Sequence, residues 1–127
     1  MLNHFTNPMK KIIHSLIFLI FITIASCGNK CDEIPNSFSS YDQAAKIILN
    51  SKLLHSEEAD VSDSSWITSA KYLSCDGLVG FFAIKIRNTT YIHQGMPFYV
   101  WKNFKNADSK GSFYSRKIRG HYQLKLN

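Results

Sequence analysis

The stretch Tyr91–Tyr122, YIHQGMPFYVWKNFKNADSKGSFYSRKIRGHY, decides how this chain folds, because it reads in order as strand, turn, helix, glycine stop and second helix. Pro97 stands where a first helical turn tolerates a missing N–H, and Gly111 stands where a helix takes a left-handed exit. The pair predicts one helix of about three to four turns between them. Within it Val100, Trp101, Phe104 and Ala107 recur on one face, while Lys102, Asn103, Lys105 and Asn106 fall on the other. Beyond Gly111, Ser112 is positioned to cap a second short helix with Phe113, Tyr114 and Ile118 inward and Arg116, Lys117 and Arg119 outward, which Gly120 ends.

Upstream of that stretch the hydrophobic period is two. Residues Trp66 to Leu73 alternate across one strand, and Cys75-Asp76-Gly77 supplies a turn. Leu78 to Arg87 forms the next strand, with Phe82, Ile84 and Ile86 on one face. Asn88-Thr89 turns the chain into a third strand over Thr90–Gln94. Further back, Ser40-Tyr41-Asp42-Gln43 has the form of a capping box ahead of Ala44, Ala45 and Ile48, which predicts a helix of about three turns. Leu53 to Ser65, rich in serine and acids, reads as an exposed connection. The expected fold is α+β: an N-terminal helix, a three-stranded antiparallel meander with one wet face, and two C-terminal helices.

The run Tyr91, His93, Met96-Pro97, Val100-Trp101, Phe104, Ala107, Ser109, Gly111, Phe113-Tyr114, Ile118, Gly120 and Tyr122 resembles the KTSC domain. This small domain also occurs at the C-terminus of some lysyl-tRNA synthetases. The start Ser64-Ser65-Trp66-Ile67 and the spacing Ser69 to Tyr72 agree with it too, so the resemblance extends over Ser64–Tyr122. It implies a tyrosine, any residue, tyrosine motif at its centre. Tyr91 matches the first position and His93 departs from the second. No established activity comes with the resemblance, and nucleic-acid binding has only been suggested.

The first residues are a targeting segment. Lys10 and Lys11 precede an apolar run from Ile12 to Ile24, which has the length of a signal-peptide core and is short of the roughly twenty residues a spanning helix needs. Ile24-Ala25-Ser26-Cys27 resembles the bacterial lipobox, in which small residues admit the peptidase and a cysteine thiolate takes the lipid. The expected organisation is a lipoprotein signal peptide over 1–26, a lipid-attached linker over 27–39 that lifts the domain off the bilayer, a helix and connection over 40–63, and the KTSC-like domain over 64–127. Cys27 is the expected lipidation site, and the membrane its first partner. In an exported chain Cys31 and Cys75 are a candidate disulfide across about 44 residues, which geometry rather than sequence decides.

Charge is divided unevenly. Lys85 to Asn127 holds nine Lys or Arg against one acid, Asp108, whereas Gly28 to Ile84 holds four bases and eight acids. A basic half interleaved with tyrosines has two readings, a binder of anionic polymers or a solvated lysine-rich face over an aromatic core. On the first reading Tyr91 and His93, two apart on one strand face, form an aromatic platform near Lys85 and Arg87, with Arg116, Lys117 and Arg119 adding cations. On the other, the histidine packs beneath the helix after Pro97. No paired carboxylates, no phosphate-cradling glycine loop and no recognised metal-ligand spacing occur, so no catalytic residue, metal or cofactor is expected. The expected function is a lipid-anchored cell-envelope protein displaying a binding module. Its ligand is an anionic polymer such as nucleic acid or lipid headgroups or, alternatively, another envelope protein.

Overall fold

The computed structural model describes residues 30–127, so the targeting segment and Cys27 lie outside the described residues. A 3₁₀ turn (Lys30–Glu33) leads to helix α1 (Tyr41–Asn50). Then come β1 (His55–Glu58), β2 (Ile67–Ser74), β3 (Val79–Ile86), β4 (Thr89–Pro97), α2 (Phe98–Lys105), α3 (Lys110–Phe113) and a π turn (Tyr114–Ile118). The four strands form one antiparallel sheet in chain order. The α+β class stands, and among the described residues the meander has four strands rather than three. No helix of the described residues is long and apolar enough to cross a membrane.

The added strand is β1, in the stretch read as an exposed connection. His-Ser-Glu-Glu has no apolar alternation, and its pairing with β2 (Glu57 opposite Tyr72) is what makes it a strand. Glu57 is also held from the helix layer. The indole N–H of Trp101 donates to its Oε2 at 2.8 Å, and Lys105 Nζ donates to the same oxygen at 2.7 Å. These two donors hold the Glu57 carboxyl below the usual carboxylate range, Lys105 more than Trp101.

The sheet is covered on both faces, where one was expected to be wet. On one face Ala70, Tyr72, Phe82 and Ile84 pack under Val100, Trp101, Phe104, Tyr114 and Ile118. On the other, Leu73, Ala83 and Ile92 pack under Ala44 and Ile48 of α1, with Phe38, Leu53 and Leu124 closing the edges. Phe82 is the hub of the first layer, with ring centroids 5.1 Å from Phe104, 5.8 Å from Trp101 and 5.8 Å from the His93 imidazole. A register shift between Ile67 and Ser69 turns Ile67 onto the face of Ala70 and Tyr72, which strict alternation would forbid.

The capping box forms at α1. Ser40 Oγ accepts from Gln43 N–H at 3.1 Å, while Gln43 Oε1 reaches back to Ser39 N–H at 2.7 Å, one residue earlier than the usual partner. The expected linker 27–39 is not a free spacer where it is described. Cys31 is disulfide-bonded to Cys75, Phe38 is fully buried, and Phe38 N–H donates to Lys125 O at 2.9 Å. The disulfide left open by the sequence is therefore present, with Cα atoms 5.8 Å apart, inside the range such bonds require.

The helix expected between Pro97 and Gly111 ends early, at Lys105. Asn106 takes the C-cap, and Ala107-Asp108 is loop. Ser109, not Ser112, caps the next helix, its hydroxyl accepting from Ser112 N–H at 3.2 Å. Gly111 then lies inside α3 rather than at a left-handed exit. It is glycine for space: a Cβ there would come within 2.5 Å of the Trp66 ring. Gly120 does take a left-handed conformation, with φ +80°, and ends the helical segment as expected. Gly111→Ala should lower stability by about 1–3 kcal/mol through overpacking, and adding Trp66→Phe should recover part of that loss. Thermal melts of the two variants check this, since a glycine needed only to end a helix would gain nothing from the second change.

Candidate functional site

β4 places its odd and even residues on opposite faces. Tyr91 lies opposite Ile84 and His93 opposite Phe82, whereas Ile92 lies opposite Ala83 and Thr90 opposite Lys85. Tyr91 and His93 therefore share a face with the aromatic layer, and Lys85 belongs to the other side of the sheet. This corrects the expected platform in one respect: Lys85 is not on the face of the Tyr91–His93 pair, while Ile92 lies on the opposite face, packed with Ala44 and Ile48 of α1. Arg87 sits at the β3–β4 hairpin with φ 55°, a left-handed conformation that costs a side-chain-bearing residue about 1–2 kcal/mol.

His93 is buried, with 8% of its surface exposed. Its Nδ1 lies 3.2 Å from Tyr122 O, which can only accept, so Nδ1 carries the proton. Nε2 is then the acceptor, and the Tyr114 hydroxyl donates to it at 3.1 Å. Both ring nitrogens are engaged, and burial favours the neutral imidazole. Burial pushes its pKa below the ordinary value, opposed by the hydrogen bond to Tyr122. Burial likewise raises the Tyr114 phenol.

The lowered pKa makes stability depend on pH in a definite direction. The neutral ring is favoured in the folded state, so its contribution is complete above the ordinary value of 6.5 and is lost as pH falls toward the folded pKa. His93→Phe leaves the buried Tyr114 hydroxyl without its acceptor and should cost about 1–3 kcal/mol at neutral pH. Because the variant no longer has to protonate a buried ring, its deficit should narrow in acid. Urea unfolding of both proteins from pH 8 to 5 checks the sign, and a deficit that widens in acid would contradict this assignment.

Beside His93 the surface opens into a groove of about 770 Å³ between the N-terminus of α1 and the end of the π turn. Tyr91, Trp66, Ile86, Tyr114 and Leu124 form its walls, with Tyr41 and Asp42 contributed by α1 and Arg119 by the end of the π turn. Of the seven residues expected to bind ligand, three (Tyr91, His93 and Arg119) meet here, His93 as part of the floor. Arg116 borders a separate polar hollow of about 440 Å³ with Asp63, Asp108 and Lys110. Lys85, Arg87 and Lys117 border neither of these two hollows. Trp66, Tyr41 and Tyr114 were missed as walls. Trp66, just before β2, and Tyr41, on α1, meet β4 only through the tertiary fold, and the sequence marks Tyr114 simply as an inward residue. A π turn at Tyr114–Ile118 was a signal the sequence did not carry, and such turns are frequent where helices meet ligands.

A family model described as KTSC domain matches residues 79–122, which take in β3, β4, α2, α3 and the π turn. β1 and β2, including the Ser64–Tyr72 segment that also bore the resemblance, lie outside the matched span. No curated protein and no solved structure matches the chain.

Proposed function

We propose, on the premise that residues 79–122 of this chain are a KTSC domain, that the protein is a lipid-anchored cell-envelope protein whose folded part is a non-catalytic binding module. The ligand that suits it best is a peptide segment of another envelope protein, seated in the groove of Tyr91, His93 and Arg119. The observation that carries this choice is the make-up of the groove. Its walls are mainly rings and aliphatic side chains, and its one cation, Arg119, is balanced by one carboxylate, Asp42. A polyanion is recognised by cations that converge, and here neither Lys85 nor Arg87 lines the groove. Trp101, Phe82 and Tyr114, which could have stacked on bases, are buried. A non-catalytic role is supported by His93, whose two ring nitrogens are already engaged and leave no free base.

The anchor rests on the Ile24-Ala25-Ser26-Cys27 motif behind its apolar core. Cys27→Ser should leave the precursor unprocessed and abolish acyl labelling; normal labelling in that variant would remove the anchor from the reading. For the groove, a photo-crosslinking residue at position 123, exposed on the groove lining, should capture one protein species from the membrane-bound chain. The competing wild-type interaction should weaken little between low and high salt. Tyr91→Ala should reduce the captured complex without lowering the melting temperature, because that ring is 41% exposed. A steep fall of binding with salt, lost on replacing Arg116, Lys117 and Arg119 together, would instead favour the anionic polymer.

A further inference from the structure

The disulfide does more than close a loop, because of where it attaches. Cys31 lies four residues after Cys27 in sequence, and an extended chain spans at most about 3.3–3.6 Å per residue, so their Cα atoms are within about 14 Å of one another. Cys31 in turn is bonded to Cys75, in the turn between β2 and β3. Whatever holds Cys27 therefore also holds that end of the sheet.

The same end carries exposed apolar side chains. Leu78 is 70% exposed, Tyr99 65%, Leu54 61% and Val79 48%, four of the eight large exposed hydrophobic residues among those described. Their backbones are neighbours. Phe98 N–H, next to Tyr99, donates to Leu78 O at 2.8 Å; Val79 pairs with Pro97; and the His55 ring, next to Leu54, lies 3.3 Å from where a Cβ on Gly77 would be. The charges that flank this end in sequence are mixed, Lys30 and Lys52 against Asp32, Glu33 and Asp76. Asp76 is turned to the protein, its Oδ1 accepting from Leu78 N–H at 2.8 Å and Val79 N–H at 3.1 Å.

We infer that this end of the sheet is a membrane-docking face, with Leu78 as its point of insertion into the lipid bilayer. The inference rests on the proposed lipidation of Cys27 and adds an orientation to it. The acyl chains and the disulfide bring the β2–β3 turn to the headgroups, and Leu78, Leu54, Val79 and Tyr99 enter the interface, where apolar side chains and a tyrosine ring are favoured. The mixed charge makes the contact apolar in character, independent of lipid charge. The groove beside His93 opens near the β3–β4 hairpin, at the other end of β3, and so faces away from the bilayer toward a partner.

The test uses the full-length mature lipoprotein in phosphatidylcholine vesicles made with and without brominated acyl chains, which quench tryptophan only on contact. Trp101 is fully buried and Trp66 packs against Gly111 and Tyr114, so the native protein supplies a low baseline. Leu78→Trp should add emission that the brominated lipid quenches, while Asn88→Trp, at the opposite turn, should stay at the baseline. Adding phosphatidylglycerol should change neither result. Leu78→Trp at the baseline, both variants quenched alike, or quenching that requires the anionic lipid would each overturn the inference. A protein partner on that face in place of the bilayer would give the first of these. Mass spectrometry of the mature N-terminus reads the anchor separately. If the N-terminus is unacylated, the anchor fails by itself, and docking is then read on the same variants coupled to a maleimide lipid through Cys27.

Discussion

Phe104→Ala should lower the unfolding free energy by about 3–5 kcal/mol, the usual range for removing a buried aromatic ring, and should leave the folded part marginal at physiological temperature. Phe104 has no exposed surface, and its ring lies 5.1 Å from Phe82, 5.9 Å from Trp101 and 6.2 Å from Phe113. Losing it removes the transfer free energy of the ring and leaves a cavity at the point where α2, β3 and α3 meet. It also removes several aromatic contacts worth about 0.5–1.5 kcal/mol each beyond area burial. Urea denaturation followed by tryptophan fluorescence measures the effect, since Trp101 stacks on the deleted ring. A change under about 1 kcal/mol would mean the inward face of α2 had been assigned wrongly.

Replacing Cys31 and Cys75 together with serine should cost about 4 kcal/mol, from the chain-entropy relation for a loop whose ends are 44 residues apart. That loop takes in α1, β1 and β2, so the unfolded chain gains freedom over much of its described length. The native state should loosen locally as well. The turn Lys30–Glu33 has no buried residue of its own, and the disulfide is its principal tie. Amide exchange should therefore rise over residues 30–35 more than in β3, whose hydrogen bonds do not depend on the bridge. Comparing the double-serine variant with the reduced wild type separates loss of the bond from the change of side chain. Equal stability in oxidised and reduced wild type would show that the bridge contributes nothing to folding.

The elements with a clear periodicity were legible in the sequence. α1 followed from Ser40 and Gln43, β2 and β3 from alternation, and α2 from Val100, Trp101 and Phe104, because those patterns are local consequences of a 3.6 or 2.0 repeat. The resemblance of this region to the KTSC domain was legible too, as every position of the ordered set from Tyr91 to Tyr122 lies in the span that the family model matches. What only the tertiary structure decided depended on partners distant in sequence. His55–Glu58 is a strand because Tyr72 pairs with Glu57 and the Trp101 indole and Lys105 amine hold its carboxylate. Gly111 is glycine because Trp66, 45 positions away by number, lies against it rather than because a helix stops there. Cys31 meets Cys75 because α1 and Phe38 cover the second face of the sheet, a layer that alternation alone could not distinguish from solvent. His93, two residues from Tyr91 on the same strand face, has two readings in the sequence, an exposed platform or a packed ring, and the tertiary structure decides for the packed one, with the imidazole between Tyr122 O and the Tyr114 hydroxyl. Period-two alternation sorts side chains into two faces, but which face is buried is set by the elements that pack on it, and here both are.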